Sequence, residues 1–129
     1  MSARFLLGDM VEGSALVLDE PLSLWGGLDP TTGAIVDRLH PQVGAVVTDR
    51  VLVLPAGRGS SSSSSVLAES IRIGTAPRAL VLTETDQVLL VGALVAAELY
   101  DRLCAVVVVD PDHGIRDGDS VELTSGDDR

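Results

Sequence analysis

A stretch of glycine, arginine and serine carries most of the chemistry that this sequence offers. Residues 51–74 read VLVLPAGRGSSSSSSVLAESIRIG, with Arg58 between two glycines and an unbroken run of serines over residues 60–65. Apolar β-formers precede the turn and helical spacing begins at Val66, so the pattern predicts a strand, a turn and a helix. Backbone N–H groups and the positive end of the helix dipole would converge there. Such a turn can hold a carboxylate, a phosphate or a developing oxyanion.

Three interpretations compete for this turn. Serine runs are often flexible linkers, but here a β-branched strand and a helical segment flank the run too tightly for that. The nucleotide-binding P-loop, G-x-x-x-x-G-K-[ST], requires a lysine, and this chain has none. The third interpretation is a site at a helix start that offers serine and Arg58 to an acidic substrate. It is the hypothesis that we carry forward.

The kind of catalysis open to these serines is limited by what surrounds them. His40 and His113 lie in predicted loops outside any nucleophile motif, so the sequence disfavours a stand-alone serine hydrolase. A serine at a helix start can instead remove a proton next to a substrate carboxylate, because nearby amides and an arginine stabilise its alkoxide. The sequence offers no set of metal ligands, so it shows no metal ion that could accept the leaving group. An elimination would therefore need a partner that supplies the electrophile.

Composition and charge narrow the class of protein. The chain has 129 residues, 46% of them hydrophobic and 2% aromatic, which suits one domain with a core of Val, Leu, Ile and Ala. The formal net charge is -10 and every basic residue is arginine, which disfavours non-specific binding to nucleic acid or anionic membranes. No signal peptide is visible, and the apolar stretches fall short of the ~20 residues that span a bilayer. We expect a soluble, cytoplasmic protein.

Cysteine usage excludes several kinds of site. Cys104 is the only cysteine, so the chain has no internal disulfide and cannot by itself hold zinc or an iron–sulfur cluster. It lies just before an apolar run. We therefore expect a buried, structural thiol.

Short apolar runs predict an α/β fold. Two of them, Ala3–Leu7 and residues 14–18, suggest strands paired around a turn as an N-terminal β-layer. Three more suggest buried parallel strands that alternate with helices; they are Val51–Leu54, Ala79–Leu82 and Ala105–Val109.

The remaining segments complete this prediction. We expect Gly74 to end the first helix and Asp86 to cap the second, which runs from about residue 87 to 103. Apolar residues almost surround the second helix, so we expect it to be buried against the sheet or against another subunit. Residues 115–123 predict a turn and an edge strand that returns to the N-terminal β-layer.

Two loops precede the glycine–serine turn. Residues 19–33 are predicted to be non-helical and hold Trp25, the only tryptophan, beside Gly26 and Gly27. The glycine pair allows close approach to a ligand or partner, or else the loop is plain and Trp25 plugs the edge of the core. In the second loop, over residues 37–44, we interpret His40 as a hydrogen-bonded structural residue rather than a catalyst.

Two blocks of the sequence, taken together, resemble the aconitase X swivel domain. The first is ALVLDEPLSLWGGLDPTTGAIVDRLHP over residues 15–41, and the second is VLVLPAGRGSSSSSSVLAESIRIGTAPRALVL over residues 51–82. The match extends over about residues 12–109, and its specificity lies in combining the GG-x-DP-x-TG block with the GRGSS turn. Stand-alone members of this family are small subunits of phosphomevalonate dehydratase and of hydro-lyases such as cis-3-hydroxy-L-proline dehydratase.

The resemblance implies a swivelling β/β/α domain with a parallel or mixed sheet, flanking helices and a small β-layer. One such domain would occupy residues 1–129, with a core over about residues 12–123 and a solvated tail over residues 124–129. It would dock on a large aconitase X type subunit, as a heterodimer or a higher assembly. That partner would carry a cysteine-bound iron–sulfur cluster and most of the pocket, consistent with the lone Cys104 here.

The resemblance also implies roles for individual residues. In the aconitase superfamily the first serine after a glycine in a Gly-Ser-Ser motif abstracts the proton, and here that residue is Ser60. Aconitase continues with Arg-Glu after the two serines where this chain has more serine. That departure removes the usual arginine clamp, for which Arg58 is a candidate replacement. The implied substrate-binding residues are Arg58, Gly59, Ser61, Gly26, Gly27 and Asp29, the last three bordering the pocket or the subunit seam together with Trp25.

The working hypothesis is the small subunit of a two-subunit dehydratase. Ser60 takes the proton, the turn amides and Arg58 hold the acidic group of a small hydroxy acid, and the iron of the partner accepts the leaving hydroxyl. The alternative is a non-catalytic module whose turn binds an anion or packs against a partner. The sequence leaves open whether the substrate resembles hydroxyproline or phosphomevalonate.

Overall fold

A mixed six-stranded sheet and two longer helices form the framework of the part of the chain that is described. The structure, a computed structural model, describes residues 3–56 and 60–125. The strands within these residues are β1 (Ala3–Leu7), β2 (Met10–Val17), β3 (Val51–Leu54), β4 (Ala79–Leu82), β5 (Ala105–Val109) and β6 (Ser120–Thr124). The helical segments are α1 (Leu24–Gly27), a single turn in which Trp25 and Gly26 have non-helical angles, α2 (Ser63–Ile73) and α3 (Gln87–Tyr100).

The strand order confirms the predicted parallel core. The order is β1-β5-β4-β3-β2-β6, and β2, β3, β4 and β5 run parallel to one another. β6 pairs antiparallel with β2 at one edge, as predicted for the C-terminal segment, and β1 lies at the other. The carboxyl ends of the four parallel strands therefore meet at one edge of the sheet, where folds of this class usually bind ligands.

Alternation of leucine with smaller residues explains how the sheet buries both faces. In β3, Leu52 and Leu54 belong to the core cluster that includes residues of α2 and α3, whereas Val51 and Val53 belong to a second cluster on the opposite face. β4 alternates in the same way. Strands buried on both faces read as continuous apolar runs, which is why these were recognisable from the sequence.

The prediction that β1 pairs with the following strand is wrong. β1 pairs antiparallel with β5, while β2 is separated from β1 by three strands and pairs with β3 and β6. Without β1, the valine-rich strand β5 would be an open edge with unpaired N–H and C=O groups. Pairing with β1 protects β5 and leaves the five-residue strand β1 as the edge instead.

The helix ends follow their predicted capping residues, with one difference at each helix. Gly74 ends α2 at φ 99° and donates its N–H to Ser70 at 2.9 Å, and the side chain of Asp86 accepts the N–H of Leu89 at 3.1 Å. α2 begins at Ser63, inside the serine run, earlier than the predicted start at Val66. α3 ends at Tyr100 because Asp101 adopts left-handed angles.

α3 is buried by the rest of this chain on one side only, so burial of its remaining surface against another subunit, the second branch of the prediction, stays a prediction. Its inner residues are buried, but one stripe is between 41% and 66% exposed. The stripe consists of Val91, Leu94, Val95 and Leu99. Among the described residues, none of the helices combines the length and apolar character that crossing a bilayer requires.

Candidate functional site

Ser60 lies in the connection between the end of β3 and the start of α2. Its side chain is half-buried, and its Oγ accepts the N–H of Ser62 at 3.3 Å. Its carbonyl accepts the N–H of Ser63, the first residue of α2, at 2.8 Å. A donated N–H and the positive end of the α2 dipole both stabilise negative charge on the Ser60 oxygen. This environment favours the alkoxide that a serine base requires.

The rest of the turn is described only in part. Gly57, Arg58 and Gly59 lie outside the described residues, so the roles assigned to Arg58 and Gly59 stay predictions. Ser61 is exposed, and its carbonyl accepts the hydroxyl of Ser64 at 3.0 Å. Ser61 is therefore accessible next to Ser60, and its contact with substrate stays a prediction.

The tryptophan loop lies beside the same helix start. The N–H of Trp25 donates to the Oγ of Ser63 at 3.3 Å. Trp25 (φ -67°, ψ 111°) and Gly26 (φ 80°, ψ -12°) have the angles of a type II turn, which needs positive φ at its third residue. Gly27 is buried, and a Cβ atom there would lie 2.9 Å from Leu22 Cδ1. The glycine pair thus lets the loop turn tightly next to α2.

Trp25 does not plug the edge of the core. Its side chain is 60% exposed. Of the two interpretations that the sequence left open for this loop, the one in which Trp25 plugs the core edge is therefore wrong, and close approach of the glycines to a ligand or partner stays a prediction. The hydrogen bond between Trp25 and Ser63 puts this loop next to the serine run.

Asp29 lies at the opposite end of α2 from Ser60. Its Oδ1 accepts the N–H of Thr31 at 2.9 Å, and its carbonyl accepts the N–H of Gly33 at 2.8 Å. The turn that it closes contacts the C-terminal end of α2, where Thr75 donates its hydroxyl to the carbonyl of Pro30 at 2.5 Å. α2 has 11 residues, a rise of about 16 Å. This placement favours a structural role, and a contact of Asp29 with substrate stays a prediction.

Arg4 and Thr85 are functional candidates that sequence reasoning missed. Arg4 donates from Nη2 to the Thr85 hydroxyl at 3.3 Å. Thr85 lines a small depression at the carboxyl edge together with Pro55 and Ala56, which follow β3 on the way to Ser60. Antiparallel pairing with β5 puts Arg4 opposite Val108, near this edge. Because β1 and β5 are far apart in the sequence, no local sequence signal reveals that their pairing brings Arg4 close to Thr85.

The histidines and the cysteine are engaged in structural contacts. His40 is buried, its Nε2 donates to the carbonyl of Glu20 at 2.9 Å, and its Nδ1 accepts the N–H of Gln42 at 3.0 Å. His113 Nδ1 accepts the N–H of Ile115 at 2.9 Å. Cys104 is buried, and burial raises its pKa to about 12, so its thiol is neither a nucleophile nor a ready ligand.

The comparisons with known proteins assign the family. The sequence matches the aconitase X swivel domain over residues 1–129, and the chain belongs to that family. A structure of Thermococcus kodakaraensis aconitase X in its holo form superposes with a TM-score of 0.86 at 26% identity, covering 98% of this chain and 92% of that one. The predicted fold class, a swivel-type mixed sheet with helices, is confirmed.

Two kinds of relative differ in the share of their own length that matches this chain. The phosphomevalonate dehydratase small subunit of Thermococcus sibiricus is 34% identical over 122 residues, which cover 88% of this chain and 94% of that one. The cis-3-hydroxy-L-proline dehydratase of Pseudomonas aeruginosa is 44% identical over 99 residues, which cover 77% of this chain. This chain spans only 17% of the length of that second relative.

Proposed function

We propose that this chain is the small subunit of a two-subunit hydro-lyase of the aconitase X type and that Ser60 is its base. The observation that carries the proposal is the position of Ser60. It lies next to the N-terminal end of α2, at the carboxyl edge of the sheet, and its Oγ accepts the N–H of Ser62. Family membership and the names of the relatives support the class of reaction.

In this proposal Ser60 removes a proton from the carbon next to the substrate carboxylate. Its oxygen acts as the alkoxide and becomes a hydroxyl when it accepts the proton. The N–H of Ser62 and the start of α2 lower the cost of the alkoxide before transfer. The amides of the turn and Arg58, outside the described residues, are proposed to bind the acidic group of the substrate.

The described residues do not fit the iron–sulfur cluster that the family implies. Over residues 3–56 and 60–125, no three His, Cys, Asp or Glu residues are grouped so that they could hold a metal ion. Cys104 is buried beside the sheet, and its raised pKa opposes the thiolate that a cluster needs. We therefore assign the cluster to the large subunit and derive no step through it.

A large subunit is the partner that the relatives suggest. In the P. aeruginosa protein the matching region is a sixth of a much longer chain, whereas in T. sibiricus nearly the whole of a small subunit matches. The same unit thus occurs both within a long chain and by itself. We propose that the partner of this chain corresponds to the remainder of the long relative.

The substrate is proposed to be a small hydroxy acid, with two candidates. The relatives are named for cis-3-hydroxy-L-proline and for phosphomevalonate. Both molecules present a carboxylate, which the positive start of α2 would favour. Their remaining groups differ, and we assign that discrimination to the large subunit.

The test uses this chain produced together with its large subunit. Dehydration of both candidate substrates is measured for the wild-type complex and for Ser60→Ala, with Ser65→Ala as the matched control because Ser65 is exposed in the first turn of α2. We expect Ser60→Ala to lower kcat about 1,000-fold while the complex stays intact. Full activity of Ser60→Ala would remove the serine from the mechanism.

The alternative, a non-catalytic anion-binding module, predicts a different result. No partner would confer dehydratase activity on the wild-type chain, and the isolated chain would still bind carboxylates or phosphate.

A further inference from the structure

Ser63 connects the two segments that meet at the candidate site. Its side chain is 2% exposed, and its Oγ accepts the N–H of Trp25 at 3.3 Å. Its own N–H donates to the carbonyl of Ser60 at 2.8 Å. One buried residue therefore contacts the tryptophan loop through its hydroxyl and the proposed base through its backbone.

The backbone of Trp25 is also held from its other side. The hydroxyl of Ser23 donates to the carbonyl of Trp25 at 3.3 Å, and Gly26 has the positive φ that the type II turn requires. Both polar backbone groups of Trp25 thus have partners, although its side chain is 60% exposed. An exposed aromatic ring on a fixed backbone loses little conformational freedom when it contacts a ligand or partner.

We propose that Ser63 is a positioning residue that holds the Trp25 turn against the first turn of α2. Trp25 and Ser60 are then presented to the substrate and the large subunit as one unit. This role rests on the proposed function, because it is defined relative to Ser60 as the base. Removing the hydroxyl of Ser63 leaves the N–H of Trp25 without its acceptor, so the turn is free to move relative to α2.

The first arm of the test is spectroscopic and needs no enzyme activity. Trp25 is the only tryptophan, so fluorescence of the isolated full chain that is excited selectively over Tyr100 reports on this turn alone. We expect Ser63→Ala to add a nanosecond segmental component to the anisotropy decay, Ser63→Thr to restore the wild-type decay, and exposed Ser65→Ala to leave it unchanged. Circular dichroism verifies that each variant is folded. An unchanged decay in folded Ser63→Ala overturns the proposal.

The second arm measures steady-state kinetics of the same variants in the complex with the large subunit. We expect Ser63→Ala to lower kcat about tenfold with KM changed less than about twofold, and Ser63→Thr to recover kcat, because misplaced catalytic groups lower the rate of the chemical step. If Ser63→Ala alters the anisotropy decay but leaves kcat unchanged, the positioning role is overturned. A wild-type complex without dehydratase activity refutes the proposed function instead, and the anisotropy arm alone then decides whether Ser63 holds the turn.

Discussion

Replacing Gly92 with alanine tests whether the approach of α3 to the serine run sets the position of the candidate site. A Cβ atom on buried Gly92 would lie 2.6 Å from the carbonyl oxygen of Ser64 and 3.0 Å from its Cα. Both atoms belong to the backbone of the first turn of α2, so no side-chain rotation relieves the overlap. The helices must separate locally by roughly 0.7–1 Å to restore ordinary van der Waals contact.

Two opposing terms set the change in stability that this substitution causes. Alanine is favoured over glycine by about 1 kcal/mol inside a helix, whereas over-packing costs about 1–3 kcal/mol. The free energy of unfolding should therefore fall by about 0–2 kcal/mol. The catalytic effect should be larger, because a misplacement of about 1 Å can lower a rate about 100-fold. We expect kcat of the complex to fall about 10- to 100-fold.

The assay combines urea unfolding of the isolated chain with kcat of the complex, and Gly13→Ala is the matched control. A Cβ atom on Gly13, in β2, would lie 3.2 Å from side-chain atoms of Val51 and Arg78, beside the amino-terminal ends of β3 and β4 and away from the serine run, and should leave kcat unchanged. A Gly92→Ala complex with full kcat, in a chain more stable than wild type, would refute the reasoning. The helix contact would then not determine where the serine run lies.

Two further predictions concern residues away from the proposed base. Asp29→Ala removes the acceptor of the Thr31 N–H and should lower the free energy of unfolding by about 1 kcal/mol without changing kcat. Asp29→Asn should restore stability, and a loss of kcat in that stable variant would instead support the predicted contact with substrate. Burial raises the pKa of Cys104 from 9.0 to about 12. The unfolded thiol therefore ionises from about pH 9 while the folded one stays protonated, and the free energy of unfolding falls as pH rises through this window. Urea unfolding at pH 8 and pH 10 should show a loss of about 1.4 kcal/mol that Cys104→Ala lacks, and equal losses in both proteins would contradict this account.

Local signals in the sequence identify most elements correctly. The runs that became β3, β4 and β5 are short, rich in valine and leucine and bounded by turn residues, which leaves little choice of structure. Gly74 and Asp86 mark helix ends because each acts within one turn of its own position. The strand before the GRGSS segment and the helix after it were recognisable for the same reason, since their patterns follow one another closely in the sequence.

Non-local contacts account for what the sequence did not predict. The partner of β1 is β5, about a hundred residues away, and no local pattern distinguishes it from the neighbouring β2. α2 begins at Ser63, a buried residue that contacts the Trp25 loop, and such tertiary contacts are not visible in the modest helix propensity of serine. The family resemblance groups Asp29 with Trp25 through the GG-x-DP-x-TG block, whereas in the structure Trp25 contacts the start of α2 and the Asp29 turn contacts its C-terminal end; a contact of Asp29 with substrate stays a prediction.

The apolar stripe of α3 affects how copies of this chain behave in solution. Four aliphatic side chains between 41% and 66% exposed lie on a molecule whose formal net charge is -10. Mutual repulsion of the negative charges keeps molecules apart when ionic strength is low, and added salt shortens the range of that repulsion while leaving the attraction between the stripes intact. The isolated chain is therefore better kept in dilute buffer, since concentrated salt promotes its self-association.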